Sequence, residues 1–182
     1  EYMDYILMPK LEEAVQGMLW RIAWFSDESA KNVADGGVIT DGFDLKLFTM
    51  CDGLFKRLFS ICAENENQHV SIAANNEATY ALQQSKLKNA GVATSIFDNI
   101  LENADSRIAG QKGAAIFATK SLCDALSKDI RGLYKEIMKW ETIFSGLDVS
   151  EYDGVKVYRV SVWDRMVQKY QKNGNKFNLP HR

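Results

Sequence analysis

Few side chains in this chain are suited to acid–base, nucleophilic or metal chemistry. Histidine occurs at His69 and His181 only, and cysteine at Cys51, Cys62 and Cys123. The two histidines share no helical i,i+4 spacing and have no cysteine at zinc-site distance, so no metal site is expected. No pair of cysteines forms a CxxC. Cys51 and Cys62 fall in an apolar stretch, and all three thiols are expected to be reduced, buried and inert. Neighbouring carboxylates occur at Glu12 and Glu13 and at Glu64 and Glu66. On a helix face or a polar turn these read as solvated charge, because nothing around them supplies the desolvation that raises a carboxyl pKa.

The glycine pairs Asp35-Gly-Gly37 and Gly110-Gln-Lys-Gly113 could be mistaken for phosphate cradles. A phosphate loop follows a strand and opens a helix. Gly110-Gln-Lys-Gly113 instead precedes a strand-like run, so it reads as a turn. No GxSxG elbow, Walker-type loop or dinucleotide fingerprint is present in the sequence. Lys156-Val-Tyr-Arg159 and Trp163-Asp-Arg165 interleave aromatic and basic residues, as single-strand nucleic-acid platforms do. Asp153 and Asp164 dilute that charge, and the net charge is −2. Specific nucleic-acid binding is therefore not expected. The chain reads as a non-enzyme, with no catalytic, cofactor-binding or metal-binding residue expected.

The elements that would carry any site follow from length and periodicity. A chain of 182 residues, 46% hydrophobic and 25% charged, fits one globular domain with or without an appended arm. There is no signal peptide and no apolar run of transmembrane length, so no membrane partner is expected. Glu1 in place of an initiator Met suggests a fragment or a processed chain. Leu11, Val15, Met18 and Leu19 predict a short amphipathic helix after Pro9. Trp20, Ile22 and Trp24 alternate, which predicts a strand or extended arm over 20–25. A polar loop over 26–42 follows. The spacing of Leu47, Cys51, Leu54, Leu58 and Ile61 predicts one long helix over 43–63, in which Gly53 allows a close approach.

Further on, Val70, Ile72 and Ala74 alternate as a short strand. Asn75-Asn76 would cap a helix running to Lys88, closed by Gly91. Thr94 or Ser95 opens a helix to Asn103. The uncharged run 114–118 predicts a central strand buried on both faces. Ser121–Asp124 resembles a capping box for the helix carrying Leu122, Leu126, Ile130 and Leu133. Strands are expected over 140–144 and 155–160, with a turn at Asp153-Gly154. Ser161–Asp164 would cap a last helix with Trp163, Met166, Val167 and Tyr170 inward, and a polar tail runs from Gln171. The expected fold class is α+β, a mixed β-sheet with packed helices and one long helix. The expected division is 1–66 (arm, loop and long helix) and 67–182 (sheet and helices).

Trp20, Trp24 and Phe25 are the candidate subunit-interface residues. Their segment lies between polar stretches, and extended apolar arms dock on neighbours by strand addition. The alternative is that they cover the helix at 43–63.

An ordered series of segments carries a family resemblance. Ala114-Ala-Ile-Phe-Ala-Thr-Lys-Ser-Leu-Cys-Asp-Ala-Leu126 is followed by Thr142-Ile-Phe-Ser-Gly-Leu-Asp-Val149, Asp153-Gly-Val-Lys-Val157, Val162-Trp-Asp-Arg165 and Leu179-Pro-His-Arg182. With Trp20-Arg-Ile-Ala-Trp-Phe-Ser-Asp27 and Met50-Cys-Asp-Gly53, it resembles the major capsid protein of tailed bacteriophages. That family has the Hong Kong 97 phage fold, and the resemblance is to members from phages and prophages of Bacteroides-like hosts. It implies a structural subunit that self-assembles into a virion capsid in the bacterial host cytoplasm. The helix at 43–63 would correspond to the spine helix of the peripheral domain, and 67–182 to the axial domain. Loop 26–42 would stand near the family's extended loop. The implied partners are copies of the chain in pentamers and hexamers, with scaffolding or portal proteins, and no cofactor. Two other readings stay open. One is another phage structural protein, of the tail or decoration type. The other is a small α+β ligand-binding or enzymatic domain, which would need a deep pocket around His69 or a carboxylate cluster.

Overall fold

The structure, a computed structural model, describes residues 2–109 and 111–177. The fold is α+β. The chain divides into two compact units, one ending at His69 and the other starting at Val70.

Unit 1 holds two helices, α1 (Tyr2–Phe25) and α2 (Leu54–Glu64). The helix expected over 11–19 and the strand expected over 20–25 are a single helix that runs through Pro9. Three alternating residues are too few to separate period 2 from period 3.6. Trp20 and Trp24 are an i,i+4 pair, and Ile22 and Phe25 extend the stripe of Leu11, Val15 and Met18.

The long helix expected over 43–63 is also corrected. Only its second half is helical, as α2, and a 3-10 turn occupies Leu45–Leu47. Asp44 caps that turn by accepting from the Lys46 amide. The intervening backbone doubles back and buries Phe48, which is 1% exposed beside Ile39 at 2%. Gly53 is the N-cap of α2, not a helical residue. Its amide donates to Ser26 O at 2.8 Å. A Cβ there would lie 2.9 Å from Ser26 N and 3.0 Å from Ile22 O, so only glycine permits this approach. Cys51 accordingly lies outside any helix, and Cys51 and Cys62 are half-buried where burial was expected.

Unit 2 begins without the strand expected at 70–74; that segment pairs with nothing in either sheet. Its helices are α3 (Tyr80–Leu87), α4 (Val92–Glu102) and α5 (Ser106–Ala109). α3 starts later than its Asn75-Asn76 signal because Thr79 supplies the cap, accepting from the Leu82 amide. Asn75 instead brackets α3, exchanging amide–carbonyl bonds with Gln83. Gly91 takes the left-handed conformation, φ 82°, but as the N-cap of α4 and not as the close of α3.

There follow β1 (Ala115–Thr119), α6 (Lys120–Leu133), β2 (Glu141–Phe144), β3 (Leu147–Tyr152), β4 (Val155–Val160) and α7 (Ser161–Tyr170). The sheet order is β1-β4-β3-β2, with β1 parallel to β4 and the other pairs antiparallel. The run expected as a central strand is thus an edge strand, and Phe117 within it is 51% exposed. Its lack of charge reflects the helix it packs against on one face, since Ile116 and Ala118 point to the core while Phe117 does not. The segment from Gln171 is ordered up to Phe177, where β5 (Lys172–Asn173) and β6 (Lys176–Phe177) form a small hairpin. His181, Gly110 and the Leu179–Arg182 motif lie outside the described residues.

The core of unit 2 gathers Ala93 and Phe97 of α4, Cys123, Leu126 and Ile130 of α6, and Val157 of β4. Helix ends are closed across elements. α4 has a glycine N-cap with no side chain to offer, so its amides at Ala93 and Thr94 donate to Asp129 of α6, at 3.1 and 3.3 Å. At α6, Thr119 serves the Leu122 amide, while Asp164 of α7 accepts from the Lys120 and Ser121 amides. The box-like motif at Ser161–Asp164 therefore caps another helix, not its own.

Candidate assembly surfaces

Trp20, Trp24 and Phe25 project from the last turns of α1 and are half-buried. Trp20 and Trp24 stack at 6.2 Å between ring centroids. Phe55 of α2 meets Trp24 at 5.3 Å and Phe25 at 5.1 Å, and Phe59 continues the ladder at 6.1 Å from Phe55. Offset and edge contacts of this kind each add about 0.5–1.5 kcal/mol beyond area burial. Trp24 and Phe25 pack on α2, as the covering reading expects, and Trp20 stacks on Trp24. The joint is reinforced by Arg21, whose Nε donates to Leu47 O, and by the Lys56–Asp27 ion pair at 3.1 Å. Burial pulls the Asp27 carboxyl upward, but the Ser29 hydroxyl, the Ser29 amide and Lys56 outweigh it and hold the group below its ordinary value.

A larger apolar surface lies earlier on α1. Tyr5, Ile6, Leu7, Met8, Leu11, Val15, Met18 and Leu19 are all exposed, Tyr5 to 84% and Leu19 to 56%. The helical spacing of Leu11, Val15, Met18 and Leu19 was legible in the sequence. Its solvent exposure was not, because a stripe alone does not say whether a partner from the same chain covers it.

On unit 2 the sheet presents a cross-strand row in register, Phe117–Tyr158–Val149–Glu141, on the face turned away from the core. Phe117 and Tyr158 stack at 5.0 Å. The outer strand β2 is exposed throughout, with Ile143 and Phe144 each 50% exposed. An edge strand with apolar side chains is a template for association.

Beneath that surface an ionic network fixes the sheet to α6. Arg159 donates to Asp148 at 2.9 Å and to Asp124 at 2.9 Å, and its guanidinium lies 4.5 Å over the Trp140 ring. Trp140 Nε1 in turn donates to the Ser127 hydroxyl. Burial alone would raise the Asp148 carboxyl, yet the Thr142 hydroxyl and Arg159 bring it below its ordinary value. Arg159 belongs to the Lys156–Arg159 segment that interleaves aromatic and basic residues in the sequence, and here it is committed to carboxylates within the fold.

A groove lined by Asp98, Tyr134, Glu136, Ile137 and Tyr152 brings acidic and aromatic groups together, without His69 among its lining. His69 is exposed. Tyr152 donates its hydroxyl to Asp98 at 2.5 Å. Burial, then the Asp98 bond, push its phenol upward, so it stays a protonated donor. Burial likewise pushes the Cys123 thiol to about 12, far from a reactive thiolate. Among the described residues no cluster of His, Cys, Asp and Glu could hold a metal ion, and no helix is long and apolar enough to cross a membrane. Comparison of the chain with protein-family models, curated proteins and solved structures gives no match.

Proposed function

We propose that the protein is a structural subunit that self-assembles into a closed shell, of the kind formed by tailed-phage major capsid proteins. The observation that carries this reading is the amount of apolar surface left in solvent after each unit has built its own core. Eight large apolar side chains of α1 stand exposed, and unit 2 adds Phe117, Ile143 and Phe144 on its edge strands. Ordinary monomers limit contiguous apolar patches to a few hundred Å². The ordered segments from Ala114 onward support the shell over other assemblies, since they resemble that family. Under this reading unit 2 corresponds to the axial domain and unit 1 to the peripheral domain. Many modest contacts between copies would sum to a stable shell, with ring-forming contacts of the heterologous type.

Sedimentation velocity and negative-stain electron microscopy of the purified protein test this. Rings or closed particles are expected, at least as a concentration-dependent fraction. A strict monomer up to about 100 μM, well above the dissociation constants of stable interfaces, would overturn the proposal.

A further inference from the structure

We infer that α1 pairs with α1 of a second copy of this chain through a heptad seam. The inference rests on the assembly reading above for the identity of the partner, and it adds which surface makes the contact. Met8, Leu11, Val15, Met18, Ile22 and Phe25 follow one another at intervals of three, four, three, four and three. That is the a/d repeat of a coiled coil, with Met8, Val15 and Ile22 at a positions and Leu11, Met18 and Phe25 at d positions.

The structure divides this seam into two parts. Its C-terminal end is used inside unit 1, where Phe25 packs on Phe55 at 5.1 Å and Ile22 is half-buried. Its N-terminal part is in solvent: Met8 is 51% exposed, Leu11 54%, Val15 42% and Met18 40%. Of the charged groups beside it, Glu12 falls at an e position and Arg21 at a g position, flanking the seam. Lys10 and Glu13 form an ion pair at 3.5 Å, and the heptad places them at the c and f positions. Tyr5, Leu7 and Leu19 flank the seam and widen it.

Spacing selects the occupant. Tyr5, Leu7, Met8, Leu11, Val15, Met18 and Leu19 are exposed at a, d, e and g positions of one repeat, a continuous apolar face of the kind that marks a partner surface. A seam of this spacing is self-complementary, because knobs from one copy fit holes between the same residues of the other. A second copy is therefore the partner that matches the spacing.

The test is sedimentation velocity on the full chain, wild type against the double variant Leu11→Glu/Val15→Glu, with Gln16→Glu at a b position as control. Both seam residues are exposed in the single chain, so the fold should survive, and far-UV circular dichroism checks this. Should the double variant lose helix, Met18→Gln, a milder change at a d position, takes its place. The expected result is a self-associating wild type whose dissociation constant rises roughly 100-fold in the seam variant and stays unchanged in the control. Association that is equally strong in wild type and folded seam variant overturns this inference and leaves the assembly reading standing. A wild type that is monomeric throughout overturns both.

Discussion

Asp129 is the side chain on which the packing of α4 against α6 turns. It is 3% exposed and lies on α6, yet it serves the N-terminus of α4. One of its oxygens accepts from the Ala93 amide at 3.1 Å, the Thr94 amide at 3.3 Å and the Thr94 hydroxyl at 3.2 Å. Those amides are at the N2 and N3 positions that an N-cap side chain normally serves, and the N-cap here is Gly91. Asp129→Ala removes all three bonds and leaves donors buried around Ala93, which is 0% exposed. Loss of a cap costs about 0.5–2 kcal/mol, and an orphaned buried donor about 1–3 kcal/mol. Partial hydration of the gap keeps the total near 2–4 kcal/mol, a fall in melting temperature of roughly 8–16 °C for a unit of this size. Urea titration followed by far-UV circular dichroism measures the loss. Thr94→Val, which removes one bond only, should cost about 1 kcal/mol. The double variant should cost less than the sum, since both changes delete the same hydroxyl bond. A loss below about 0.5 kcal/mol for Asp129→Ala would show that α4 is held by Phe97 and its apolar neighbours alone, and would refute the capping argument.

Other consequences are open to simple measurement. Gly53→Ala should destabilise unit 1 by about 1–3 kcal/mol, because the new Cβ meets the backbone of Ser26 and Ile22, which cannot swing aside; a melt unchanged from wild type would contradict it. Asp148 is held below its ordinary value, so the unfolded chain binds more protons around pH 4 and stability rises with pH there. The stabilisation is in place above the unfolded value near 3.9 and is lost as pH falls through the folded one. Asp148→Asn should flatten that part of the stability–pH profile, and an identical acid slope in the variant would count against it. Alkylation at pH 8 followed by mass spectrometry should label Cys51 and Cys62 well before Cys123, whose thiol is buried and pushed to about 12. Equal rates at all three would contradict the packing of α6.

The sequence by itself determined the fold class and several helices and strands of unit 2. The turn at Asp153-Gly154, where both residues take positive φ, and the strand after it were legible, but the strand before it, β3, was not. The amphipathic helices α4, α6 and α7 followed from period and length, because each buries one stripe against one layer. It also contained the three-and-four spacing of α1, although three alternating residues at Trp20–Trp24 disguised its end as a strand. Tertiary structure decided what local signals leave open. Whether Trp20, Trp24 and Phe25 reach outward or inward depended on where Phe55 came to lie. The break at Gly53 depended on the backbone of Ser26 being there to meet it. β1 became an edge because the order of strands is set by long-range pairing, on which the apolar content of one segment is silent. The caps at α4 and α6 come from residues 36 and 44 positions away, beyond the reach of any local motif. The same holds for α1: spacing marks a helix that wants a partner, and only the folded structure shows that Met8, Leu11, Val15 and Met18 stand exposed.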